Sequence, residues 1–187
     1  MSPYTLLAKQ AVENYVKDDK TIETPENLPG GFLNRKAGTF VTIEKKGELR
    51  GCIGTYLPTR TNIAEEIIRN AIAAASEDDR FGPIKTEELP SLSYTVYILN
   101  YPEPVKDIKE LDPKKFGIIV KSQGFSSGSD AIFNTAPKSY QKTGLLLPDL
   151  EEVDTIEKQF LIACQKGGID PIKEKVFIYR FTVEKYQ

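Results

Sequence analysis

The chain has 187 residues, 40% of them hydrophobic, and 25 basic residues against 27 acidic ones leave a formal net charge of -2. It contains no histidine, which removes Ser-His-Asp and Cys-His catalysis within the chain. With only two scattered cysteines as well, neither a metal centre nor a bound cofactor is expected, and the charge balance lacks the clustered positive face that nucleic acid requires.

In chain order, Tyr4, Leu7, Ala8, Ala11, Val12 and Tyr15 recur at helical spacing, so the chain opens on an amphipathic helix started by Ser2 and Pro3. It stops near the polar KDDKT stretch. This N-terminus has no basic head, apolar centre or small-residue cleavage pattern, and no apolar run approaches the roughly 20 residues of a membrane span. A soluble, cytoplasmic protein with reduced thiols and no membrane partner is expected.

The turn-rich residues 24–31 lead into TFVTIEK and, across Lys46 and Gly47, into ELRGCIGTY, which together predict a β-hairpin. Asn62 with Glu65 three residues on predicts the start of a second helix, whose apolar face is Ala64, Ile67, Ile68, Ala71, Ile72 and Ala75. SLSYTVYILN, FGIIVKS, GLLLP and VFIYRFTVEKY read as further strands. A third helix precedes the last of them, capped by Asp154 and Glu157, with Ile156, Phe160, Ala163 and Cys164 on its apolar face and Gly167-Gly168 at its end. Cys164 therefore reads as core. No repeat period is visible, and the irregular order of strands and helices favours an α+β fold with a mixed or antiparallel sheet. Residues 123–143 form an unusually long Ser/Gly-rich connection, read either as a simple surface loop or as a binding loop.

Strict alternation along LRGCIGTY would place Leu49, Gly51 and Ile53 on one face and Arg50, Cys52 and Gly54 on the other. Residues two apart on a strand are separated by roughly 6.6 Å, so the Arg50 charge would reach the Cys52 sulfur and favour its thiolate. Cys52 is thus a candidate nucleophile, with Gly51 and Gly54 admitting a ligand. The other reading makes Cys52 a small packing residue and the glycines room for a neighbouring element. At the end of the second helix Glu77, Asp78 and Asp79 sit where the helix dipole disfavours acids, which suits either an acid/base or Mg²⁺-type carboxylate site facing the hairpin or an exposed helix end with Asp79 capping the next turn. Arg80 would neutralise part of this cluster and Phe81 anchor the turn. Lys142, ahead of GLLLP, is a candidate cation for an anionic ligand or an ordinary solvated lysine. A short connection between the hairpin and the second helix predicts that residues 77–80 lie beside Arg50 and Cys52.

The ordered set FVTIEKKGELRGCIGTY, AIAAASEDDRF, LSYTVYILNYPEPV, KTGLLLPDLE and ACQKGGID resembles the AMMECR domain family across nearly the whole chain. The resemblance implies an α+β AMMECR-type fold of a larger and a smaller subdomain, so residues 1–187 form one domain of two packed parts. It rests on Leu49, Arg50, Gly51, Cys52, Ile53, Gly54 and Thr55, with Asp79, Arg80 and Phe81. It also implies a Memo-type or radical-SAM protein as a partner. The functional expectations are therefore two. One is a cysteine-dependent enzyme or accessory factor in which Cys52, Arg50, Glu77 and Asp79 are catalytic, while Gly51, Gly54, Thr55, Arg80, Phe81 and Lys142 bind the ligand. The other is a non-catalytic module binding a small molecule or protein around the same strand.

Overall fold

The first helix, α1 (Pro3–Asp18), forms as its capping residues predict: Ser2 accepts a hydrogen bond from the Thr5 amide, and Asp19 closes the last turn with φ 54°. Leu7, Ala8, Ala11 and Val12 face the core. A single helical turn, α2 (Gly30–Leu33), interrupts the segment read as turns only. The cause is one aromatic side chain, because Phe32 is fully buried and stacks on Tyr4 at 4.1 Å between ring centroids.

The computed structural model describes residues 1–123 and 141–187 and resolves them into two units, residues 1–101 with 183–187, and residues 102–182. The first unit contains a four-stranded antiparallel sheet in which β1 (Thr39–Lys45) and β2 (Glu48–Gly54) form the expected hairpin. Its two-residue turn holds Lys46 and Gly47 at φ 55° and 85°, the left-handed pair that a tight hairpin demands. β3 (Leu92–Leu99) pairs with the other side of β1, and β8 (Val183–Tyr186) with β3, giving the order β2-β1-β3-β8. The helix α3 (Ile63–Ser76), capped by Asn62, buries Ile63, Ala64, Ile67, Ala71 and Ala74 on one face of this sheet.

The second unit repeats the plan with β4 (Glu103–Pro104), β5 (Gly117–Gln123), β6 (Gln141–Leu146) and β7 (Val176–Phe181) in the antiparallel order β4-β7-β5-β6. Its helix α4 (Ile156–Lys166) contributes the buried Gln159, Ala163 and Cys164. The fold is thus α+β with antiparallel sheets, and among the described residues no helix is long and apolar enough to cross a membrane.

Three boundaries differ from the sequence reading. The N-cap of α4 is Thr155, whose hydroxyl accepts from the Lys158 amide at 3.1 Å, while Asp154 pairs with Lys114 at 3.3 Å. The final strand-like run is two strands in two sheets, divided after Phe181. β6 begins at Gln141 because Gln141, Lys142 and Thr143 find partners in Gln123, Ser122 and Lys121. Residues 124–140, most of the long Ser/Gly-rich connection, lie outside the described residues.

Candidate functional site

Among the described residues β2 is an edge strand, hydrogen-bonded only to β1. An edge strand leaves backbone groups without a ladder partner, and Cys52 turns such groups outward. Two residues beyond α3 satisfy them. The Cys52 amide donates to Asp78 Oδ2 at 2.8 Å, and Arg80 Nη2 donates to the Cys52 carbonyl at 3.4 Å. Asp78 and Arg80 are themselves joined by a two-point ion pair, Nε to Oδ1 at 2.9 Å and Nη2 to Oδ2 at 2.7 Å. The Asp78 side chain is only 5% exposed, whereas that of Arg80 is 55% exposed and lies over the Phe81 ring at 5.3 Å.

These contacts fix the charges. Hydrogen bonds from the Arg80 side chain, aided by the Cys52 amide and opposed by burial, hold the Asp78 carboxyl down at about 2. Arg80 is in turn held more firmly protonated, chiefly by Asp78 and further by the Cys52 sulfur. Cys52 itself is half-buried, outside any disulfide, with its sulfur 3.2 Å from Thr42 Oγ1 across the hairpin. Thr42 is also the register partner of Thr95 on β3, so thiol and two hydroxyls form a row on one face of the sheet. Gly51 points to the other face, where a methyl group would collide with the Ala74 carbonyl of α3. The glycine lets helix and strand meet, which is what brings Asp78 to Cys52.

Arg50 does not accompany the thiol as strict alternation implied. The register shifts between Ile43 and Glu44, where Gly51 faces Ile43 and Leu49 faces Glu44, leaving Arg50 as the extra residue of a bulge. Its guanidinium is committed elsewhere: Nε and Nη2 hold Glu88 at 3.1 and 2.9 Å, and Nη1 donates to the Gly82 carbonyl at 2.8 Å. Lys45 reaches the same carboxylate at 2.8 Å, and together the two cations keep Glu88 well below the usual carboxylate range. Arg80 is the cation beside Cys52.

The three acids after α3 diverge rather than converge. Glu77 pairs with Arg69 at 2.9 Å on the surface, Asp78 turns inward, and Asp79 is exposed. None of the three makes a hydrogen bond to Arg50, and of residues 77–80, expected beside Arg50 and Cys52, Asp78 and Arg80 are the two that reach Cys52. Thr55 positions a neighbour, because its hydroxyl donates at 2.6 Å to Glu66, a fully buried carboxylate that also takes the Thr59 hydroxyl and the Thr59 and Arg60 amides. At Gly54 a methyl would strike Phe40 and the Thr39 carbonyl. Lys142 belongs to the second unit, where its ammonium holds Glu174 at 2.6 Å. Thr42, Glu66 and Glu88 were missed from sequence because each acts through a partner on another element, Cys52 across the hairpin for Thr42, the segment ahead of α3 for Glu66, and Lys45 and Arg50 for Glu88.

The fold and site define an α+β protein of two antiparallel four-stranded units, one carrying a thiol on an edge strand braced by an aspartate–arginine pair. The AMMECR1 family model matches residues 5–186, and the chain belongs to the AMMECR1 family. A protein of Thermotoga maritima is 50% identical over 99% of this chain and 97% of its own length. A Clostridium acetobutylicum protein is 40% identical over 98% of this chain, which spans only 34% of that longer protein. Among solved structures, uncharacterized protein PH0010 from Pyrococcus horikoshii superposes with a TM-score of 0.82 at 30% identity, covering 97% of this chain and 88% of its own.

Proposed function

We propose that this protein works through Cys52 as a reactive thiol, a nucleophile or acceptor in an enzyme or accessory factor, with Arg80 rather than Arg50 as its neighbouring cation. The observation that carries this is the clamp on Cys52: a nine-tenths buried aspartate holds the strand amide and the arginine together, so the cation stands fixed at the Cys52 backbone, where its charge and that of the sulfur interact. Asp78, kept ionised far below neutral pH, orients rather than transfers protons. Alkylation followed by peptide mass measurement tests the reading, with the buried Cys164 as the internal reference for an inaccessible thiol. Cys52 is expected to be labelled in the native protein across neutral pH while Cys164 is spared. Labelling of Cys52 as slow as that of Cys164 at every pH overturns it.

A second reading, an accessory module that binds a protein partner without chemistry, is favoured by one observation: the Clostridium relative carries the same domain as about a third of a longer chain. A small molecule, or a Memo-type or radical-SAM protein as the family resemblance implies, is the proposed partner. Capture from native extract with the wild type and with Cys52→Ser separates the readings. Loss of cellular function with an unchanged partner set supports the thiol, and retained function supports the module.

A further inference from the structure

Arg80 has more hydrogen-bonding capacity than its partners use. A guanidinium offers five N–H donors. Here Nε and Nη2 are engaged by Asp78, and Nη2 also faces the Cys52 carbonyl. Among the described residues Nη1 meets no acceptor, and the side chain is 55% exposed. The same aspartate that holds the guanidinium prevents it from swinging away: its buried carboxylate is bonded to the strand amide on one side and to Nε and Nη2 on the other. The Phe81 ring supports the flat face of the fork. An arginine that only capped the strand edge would need one N–H and no such bracing. Arg50 and Arg69 cannot serve in its place, since Glu88 and Glu77 occupy them.

We propose that Arg80 is the specificity-determining residue of this site, its free Nη1 edge receiving the carboxylate of an anionic substrate whose reactive atom is thereby set against the Cys52 sulfur. This rests on the thiol reading above and names its substrate class. Arginine suits such a role because its charge is permanent and its donors are directional.

Two alkylating reagents of nearly equal size, iodoacetate and iodoacetamide, differ mainly in a carboxylate. In both, the Cys52 sulfur forms the new S–C bond and iodide leaves. The fraction of thiolate is common to both reactions, so the ratio of their rates at Cys52 isolates attraction for the anion. In the wild type that ratio should exceed the ratio for a free small thiol by about fivefold, the factor about 1 kcal/mol of charge attraction gives. Arg80→Gln should bring it back to the free-thiol value, Arg80→Lys should retain part of the preference, and Arg69→Gln should leave it unchanged. Should Arg80→Gln fold poorly, the wild type alone provides the test: raising KCl from 0.1 to 1 M shortens the screening length from about 10 to 3 Å and should erode the preference for iodoacetate. A ratio that ignores both salt and Arg80→Gln, with iodoacetamide still labelling Cys52, overturns this inference while leaving the thiol reading intact. Failure of both reagents at Cys52 overturns the thiol reading and this one together.

Discussion

Replacing Asp78 by Asn removes one charge from the clamp while leaving its shape, and the cost can be worked from the structure. The carboxyl is lowered from an ordinary 3.8 to about 2 in the folded protein. At about 1.4 kcal/mol per pH unit this corresponds to roughly 2.5 kcal/mol of stability at neutral pH. A lowered folded-state pKa contributes stability that is complete above 3.8 and lost as pH falls toward 2. Asn still accepts from the Cys52 amide but turns an NH2 group toward donors of Arg80. Because Arg80 is half-exposed, it moves into water, so the full penalty of a stranded buried charge is not incurred. Asp78→Asn should therefore lower stability by about 2 kcal/mol at pH 7, a fall of roughly 4–8 °C in melting temperature for a chain of this length. The difference from wild type should narrow between pH 4 and pH 2, followed by circular dichroism on heating. A difference that stays constant across that range would refute the assignment of the ionised carboxylate to this clamp.

Gly51→Ala and Gly144→Ala each put a methyl into a helix carbonyl, that of Ala74 or Ala163, and each should cost about 3 kcal/mol or more on thermal unfolding. Gly47→Ala has open space but a φ of 85°, and should cost only about 1 kcal/mol. Glu66→Ala removes the acceptor of the Thr55 and Thr59 hydroxyls and of the Thr59 and Arg60 amides, so hydrogen exchange at those two amides should accelerate with about 2–3 kcal/mol or more of lost stability. Glu88→Gln should destabilise the protein at pH 7 and lose that effect below the ordinary carboxylate range, because Lys45 and Arg50 favour the ionised form; acid titration of both proteins by fluorescence reads this out.

Periodic features were legible in the sequence because they are local. The faces of α1 and α3, the Asn62 cap and the Lys46-Gly47 turn depend on residues within a few positions of one another. What escaped depends on register. The bulge that takes Arg50 away from Cys52 is a property of the pairing between β1 and β2, and LRGCIG alone reads as uninterrupted alternation. Likewise Glu88 gave no sign of being the arginine's partner, since 38 residues separate it from Arg50. That the segment after α3 reaches Cys52 was legible for a physical reason, a short connection between strand and helix, yet that only Asp78 and Arg80 of residues 77–80 would touch it, paired with each other and with the strand backbone, was not.

The absence of a visible repeat in the sequence conceals one in the fold. In each unit a hairpin is followed by a helix and then by a strand that returns to the far side of the hairpin's first strand: β1, β2, α3 and β3 in one, β5, β6, α4 and β7 in the other. In each, a glycine of the second hairpin strand lies under a helix carbonyl, Gly51 under Ala74 and Gly144 under Ala163. An acid beyond the helix then ties back to the hairpin, Asp78 to the Cys52 amide and Glu174 to Ser122 and Lys142. Shared packing therefore explains the glycines and the acids without reference to chemistry. It does not explain the residue after each glycine, which is Cys52 in one unit and Leu145 in the other. Nor does it explain the arginine: Glu174 is tied to the lysine of its own strand pair, whereas Asp78 holds an arginine whose Nη1 meets no acceptor among the described residues. The features left over once the common scaffold is subtracted are the thiol and its exposed cation, and those are where substitution should alter function more than stability.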